Sequence, residues 1–168
     1  MGFQYPTQVF NIFLMNKRNF YDLNFDQLKN FLIEKAEIED KKAKMRAQQM
    51  FNAVYKKNIK NFDELTTFGL ELREKIKNLI SLEKPKITDI QKSKDGTIKF
   101  LLELKDKRNV ETVLIPDKAQ SRYTICLSVS VGCYLSCEFG ATAQISKKLV
   151  RNLTPGEIIS QIILCKDY

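Results

Sequence analysis

The residues most able to do chemistry gather late in the chain. All four cysteines, Cys126, Cys133, Cys137 and Cys165, fall within the last 43 of 168 residues. Cys133 and Cys137 are separated by three residues, and the position three further on is Gly140. Thiolates are soft, strong ligands for iron and zinc, so a tight cysteine loop is a candidate metal site. A C-x3-C spacing also arises by accident, and a zinc site completed by Cys126 and Cys165 would be irregular beside finger and ribbon patterns. The chain contains no histidine. That excludes Ser-His-Asp and Cys-His catalysis, histidine acid–base chemistry and histidine metal ligation. Taken alone, Glu111 reads as a solvated strand carboxylate, and Cys126 as a small buried hydrophobe.

The elements that must position these residues change character near Pro85. Before it the apolar spacing is helical. A first helix is predicted over residues 24–38, with Asn24 as N-cap, Gln27 three residues on, and Phe25, Leu28, Phe31 and Leu32 in one stripe. A second is predicted over 41–57, burying Ala43, Ala47, Met50, Phe51 and Val54. A third opens on Asn61 and Glu64 and continues through Leu65, Phe68, Leu72, Ile76 and Leu79. Beyond Pro85 the period becomes strand-like. The turn pair Asp95-Gly96 precedes the alternating Ile98, Phe100, Leu102 and Leu104, and VETVLIP at 110–116 forms the hairpin partner. A further strand over Tyr123–Ser130 would set Tyr123, Ile125, Leu127 and Val129 on one face and Cys126, Ser128 and Ser130 on the other. Thr154-Pro155-Gly156-Glu157 announces a last helix, expected to bury Ile158, Ile159, Ile162 and Ile163.

Charge points toward a polyanionic partner. Lys+Arg outnumber Asp+Glu by 28 to 20, a net +8, with a pI near 9.3. Residues 41–60 hold Lys41, Lys42, Lys44, Arg46, Lys56, Lys57 and Lys60 and no acid. Lysines make up 22 of the 28 basic residues, which favours diffuse phosphate attraction over bidentate base reading. A solvated basic face that serves only solubility is the plainer alternative. No apolar run is long enough to cross a bilayer. VFNIFLM at 9–15 lacks a basic flank and a small-residue cleavage site. Cysteines confined to one region do not suggest a secreted disulfide scaffold, so a reduced, cytoplasmic protein without a membrane partner is expected.

Several motifs in order resemble the RlmN family, radical S-adenosylmethionine (SAM) enzymes that methylate carbon 2 of an adenine in ribosomal and transfer RNA. The resemblance runs through DLNFDQLKNFL (22–32), MRAQQMFNAVYKKNIKNFDELT (45–66), SKDGTIKFLLEL, VETVLIP, TICLSVSVGC and RNLTPGEIISQI (151–162). It implies a [4Fe-4S] cluster and SAM as cofactors, and ribosomal RNA and transfer RNA rather than DNA as partners. By the same resemblance Glu111 matches a proton-accepting glutamate, and Cys126 the cysteine that resolves a covalent RNA–enzyme intermediate. Cys133 and Cys137 match the first two cluster ligands. The third ligand position is Gly140, which has no side chain. The expectation is therefore that this chain does not bind the cluster stably by itself.

The expected fold class is α+β. An N-terminal extension (1–21) and a helical RNA-binding-type domain (22–84) precede a small antiparallel β segment (85–118). Residues 119–168 then supply the first strand and one helix of an incomplete radical-SAM, TIM-like barrel. About 45 residues follow Tyr123, roughly one βα unit where a full eight-unit barrel needs about 250 residues. Two functional readings follow. One is a partial or inactive methyltransferase, a second polypeptide carrying the rest of the barrel being a candidate partner. The other is a non-catalytic RNA-binding remnant.

Overall fold

The computed structural model describes residues 17–117, 119–133 and 148–168. The chain divides into two compact units, Met1–Glu83 and Lys84–Tyr168, with α and β elements mixed as expected.

The first unit is helical. A short strand β1 (Arg18–Asn19) pairs in parallel with β2 (Ile80–Ser81), Arg18 opposite Ile80, so the two ends of the unit are tied together. A 3-10 turn, Phe20–Asp22, drops Phe20 into the centre, where its ring meets those of Phe51 and Tyr55 at centroid distances of 5.3 and 5.8 Å. Helix α1 (Phe25–Glu34) starts on the predicted capping box: Asn24 accepts from the Gln27 N–H at 2.8 Å, and Gln27 accepts from the Asn24 N–H at 3.0 Å. Helix α2 (Asp40–Phe51) buries Ala43, Ala47 and Met50 and runs into a π-helical turn, Asn52–Lys56, that the residue pattern did not foretell. Leu28, Leu32, Phe68 and Ile76 complete a closed apolar core.

The long third helix predicted from Asn61 is two elements. Asn61 and Glu64 do form a reciprocal cap, but it closes only a 3-10 turn, Phe62–Glu64. The α-helix begins afresh at α3 (Leu70–Leu79) with Gly69 as N-cap. Leu65 and Phe68 are both buried. The bend through Thr66 and Thr67, β-branched residues that resist continuing the turn, lets both side chains reach the core.

The second unit is a four-stranded antiparallel sheet ordered β3–β4–β5–β6, covered on one face by a helix. Its strands are β3 (Lys86–Lys92), β4 (Ile98–Glu103), β5 (Asn109–Asp117) and β6 (Arg122–Cys126). Strand β3 leaves no alternating signature in the sequence. It is an exposed edge with a register shift between Ile87 and Asp89, which breaks the alternation that would have revealed it. The β3–β4 turn holds Gly96 at φ +96°, where a Cβ would also come within 3.2 Å of Pro116 Cγ. Even-numbered residues of β4 and β5 (Phe100, Leu102, Val110, Thr112, Leu114) face the helix α4 (Pro155–Asp167), which adds Ile158, Leu164 and Cys165 to the core. The Thr154–Glu157 capping box, with Pro155 at the first position, forms as predicted.

Two expectations in this unit need correction. The strand over Tyr123–Ser130 is divided. Arg122–Cys126 pairs antiparallel with β5, while β7 (Ser130–Val131) pairs antiparallel with β8 (Arg151–Asn152). Tyr123 and Val129 are 65% and 61% exposed, so the four residues assigned to one apolar row do not make a buried row. The buried face of α4 is also rotated from the isoleucine stripe. Ile163 is buried, but Ile162 is 43% exposed, and Gly156, Ser160, Gln161 and Cys165 take the interior. A polar residue, Gln161, claims that face because its amide bonds the main chain of Ser128.

Candidate functional site

Strand parity brings two of the four singled-out residues to one surface. Cys126 on β6 is directly opposite Val113 on β5, and Glu111 is two residues from Val113 on the same strand. Residues opposite one another, and residues two apart, share a sheet face. Glu111 and Cys126 therefore occupy the open face, away from α4, and both are exposed. Lys99, also opposite Val113, joins them and pairs with Glu111, Nζ to Oε1 at 3.2 Å. The patch thus presents a carboxylate, an ammonium and a thiol to solvent. Sequence reasoning passed over Lys99, although its place in the alternating β4 pattern puts it on the Glu111 face.

Cys133 lies two residues past the end of β7. Gly132, at φ +78°, turns the chain between them, and Ser130 Oγ donates to its carbonyl at 3.1 Å. Cys137 and Gly140 lie outside the described residues. Cys165 is buried under the sheet, where loss of solvation pushes its thiol pKa up. It and Cys126 are on opposite faces of the sheet, so they do not combine into a zinc site. Among the described residues, no three Cys, Asp or Glu side chains converge as metal ligands.

Two polar assemblies hold this frame together, and neither was recognised from sequence. Gln161 is fully buried and grips the main chain of Ser128 at two points: Oε1 accepts from the Ser128 N–H at 3.0 Å, and Nε2 donates to the Ser128 carbonyl at 2.9 Å. Thr112 Oγ1 donates to the same Oε1 at 2.7 Å, and Ser128 Oγ donates to the Glu111 carbonyl at 2.7 Å. These bonds occupy the groups that a neighbouring strand would use, which is why the strand breaks at 127–129. A lone glutamine in the run IISQII was the available signal. In the second assembly Arg151 makes a two-pronged pair with Glu157, both bonds 2.8 Å, while its Nε donates to Asp106 in the β4–β5 turn at 2.9 Å. The guanidinium holds both carboxyls below the usual carboxylate range, against some loss of solvation. A cleft of about 810 Å³ also borders this unit at Gly96, Leu114, Ile125 and Tyr168, but neither Glu111 nor Cys126 lines it.

In the first unit the basic segment 41–60 forms the exposed side of α2 and its π turn. Lys41, Lys44, Lys56 and Lys57 are exposed and have no acidic partner among the described residues, whereas Lys42 pairs with Glu39 at 3.0 Å. Arg46 does not belong to this face. Its guanidinium donates to the Thr67 carbonyl and to Gln49, both at 3.0 Å, and lies 4.8 Å from the Phe68 ring centroid. It is a structural prop.

Residues 18–82 match the ribosomal RNA large subunit methyltransferase N-terminal domain family. A dual-specificity RNA methyltransferase RlmN from Campylobacter fetus is 39% identical over 160 residues, 89% of this chain and 42% of that protein. The chain belongs to the RlmN family. A probable dual-specificity RNA methyltransferase RlmN from Staphylococcus aureus is 37% identical over 155 residues, 91% of this chain and 40% of its own. A crystal structure of a radical SAM methyltransferase from Sphaerobacter thermophilus superposes with a TM-score of 0.74 at 30% identity, covering 88% of this chain and 41% of the other. The chain thus spans about two fifths of the length of the RlmN relatives it matches. Radical-SAM membership implies SAM and an iron–sulfur cluster for the family. Among the described residues no helix is long and apolar enough to cross a membrane.

Proposed function

We propose that this RlmN-type chain engages ribosomal and transfer RNA in the cytoplasm, and does not by itself assemble the iron–sulfur chemistry of adenine carbon-2 methylation. The observation that carries this reading is the donor set. A [4Fe-4S] cluster is held by cysteine thiolates, and the cysteine loop offers Cys133 and Cys137 with glycine at the third position, 140. Cys126 and Cys165, on opposite faces of the sheet, supply no replacement. The residues present do not fit the group. In this reading the basic surface of α2 faces RNA, and Glu111 and Cys126, which share the open sheet face, take the roles the family resemblance implies, proton acceptor and resolving cysteine. The domain division follows the same logic: residues 22–84 bind, 85–118 carry the carboxylate, and 119–168 carry the thiols. Binding alone is the second reading, favoured by the unpartnered lysines of α2.

The test is anaerobic reconstitution with iron and sulfide on the wild-type chain beside Gly140→Cys, together with RNA binding at several salt concentrations. The wild type is expected to bind RNA with a steep salt dependence and to hold no stable cluster, while the variant gains iron. A stoichiometric cluster in the wild type would overturn the proposal.

A further inference from the structure

The π turn Asn52–Lys56 is the least expected element of the first unit, and it borders a cleft of about 160 Å³. π-helical turns are rare and occur frequently at functional sites. Ala53 and Leu65, both buried, form an apolar floor. Gln49, Asn52, Lys57, Glu64 and Thr66 form a polar wall, in which the Glu64 Oε1 is taken up by the Lys60 and Asn61 N–H groups at 2.8 and 3.2 Å. The two amides are set in one sense. The Asn52 Oδ1 accepts from Gln48 at 3.2 Å and the Gln49 Oε1 from Arg46 at 3.0 Å, leaving both NH2 groups without a partner among the described residues. The two amides therefore offer donors to the cleft, which Lys57 also lines. Arg46 holds the far side in place through the Thr67 carbonyl.

From this geometry we infer that the cleft is a subsite for one unpaired nucleotide of an RNA, its base edge on the Asn52 and Gln49 amides and its phosphate at Lys56 and Lys57. The inference rests on the RNA reading above and sharpens it. The cleft is smaller than the roughly 300–1,000 Å³ of a pocket for a drug-sized ligand or cofactor, so it suits a fragment such as a single base. Sequence-selective RNA recognition works on unpaired bases that reach such a pocket. Two donor amides select an acceptor edge such as O6 and N7 of guanine over the mixed edge of adenine.

The experiment measures binding of the full chain to three RNA hairpins of equal length: one with a single unpaired guanosine, one with an unpaired adenosine, and one fully paired. The guanosine hairpin is expected to bind about tenfold tighter than the paired one, and the adenosine hairpin to gain less. Asn52→Leu should erase the preference without changing the salt slope. Asn52→Asp, which keeps the acceptor for Gln48 and the side-chain size, should erase it too. Lys41→Gln with Lys44→Gln should instead weaken all three alike and flatten the slope. A wild type that does not discriminate, or an Asn52→Asp chain that still prefers guanosine, would overturn the subsite while leaving general RNA binding intact. Absence of salt-dependent binding to any hairpin would overturn both.

Discussion

The two units solve the same problem by different means. In Met1–Glu83 the core is made by apolar residues at helical spacing, and its polar contacts are mostly local caps such as Asn24–Gln27 and Asn61–Glu64. In Lys84–Tyr168 the core contains three fully buried polar residues, Thr112, Ser160 and Gln161, and its defining contacts span 33 to 49 residues of sequence. A helix cap is legible because its parts are neighbours in the chain. A buried amide that binds a distant main chain leaves no periodic trace.

The comparison can be broken most severely in the first unit. Phe20→Ala empties the centre of the aromatic cluster and is expected to cost about 3–5 kcal/mol, as large-to-small changes at buried aromatics do. Urea unfolding followed by hydrogen exchange should place the loss in residues 18–82. Gln161→Leu probes the second unit's contrary strategy. It leaves the Ser128 main chain and the Thr112 hydroxyl short of buried partners, for an expected loss of about 3 kcal/mol. Fast exchange at the Ser128 amide is the signature, and an unchanged rate would refute the clamp.

Gly96→Ala asks whether the β3–β4 turn tolerates a side chain. Positive φ and the nearby Pro116 together should cost about 1–2 kcal/mol, read as a lowered urea midpoint with an unchanged slope. The smallest effect is electrostatic. Asp106 and Glu157 have carboxyls held low in the folded state by Arg151. Their contribution is therefore present above the ordinary carboxylate range and is lost as pH falls through the lowered values. Arg151→Met should remove about 1 kcal/mol near neutrality, given the partial exposure of the group. It should also flatten the acid limb of the second unit's stability curve.

How much was legible follows the same divide. Asn24, Thr154-Pro155 and Asp95-Gly96 announced their elements because capping and turn chemistry is short-range. The π turn and the bend at Thr66–Gly69 escaped because burial of Ala53, Leu65 and Phe68 overrode simple helical spacing. At the candidate site, strand alternation was enough to put Cys126 on the sheet face away from Ile125, while only the β5–β6 register set it beside the Glu111 face. The open face itself depends on α4 covering the other side, which Gln161 decides and the isoleucine stripe concealed.

Gln161 recognises Ser128 by its main-chain N–H and C=O and not by the side chains around it. The residues on either side, Leu127 and Val129, make no part of that grip, and neither is fully buried. Mutational tolerance along this stretch should therefore be lopsided. A saturation library would accept many residues at 127 and 129, few at 128, whose hydroxyl also reaches Glu111, and almost none at 161. Positions 127 and 129 are thus free to drift in composition while the path of the chain between the two thiols stays fixed.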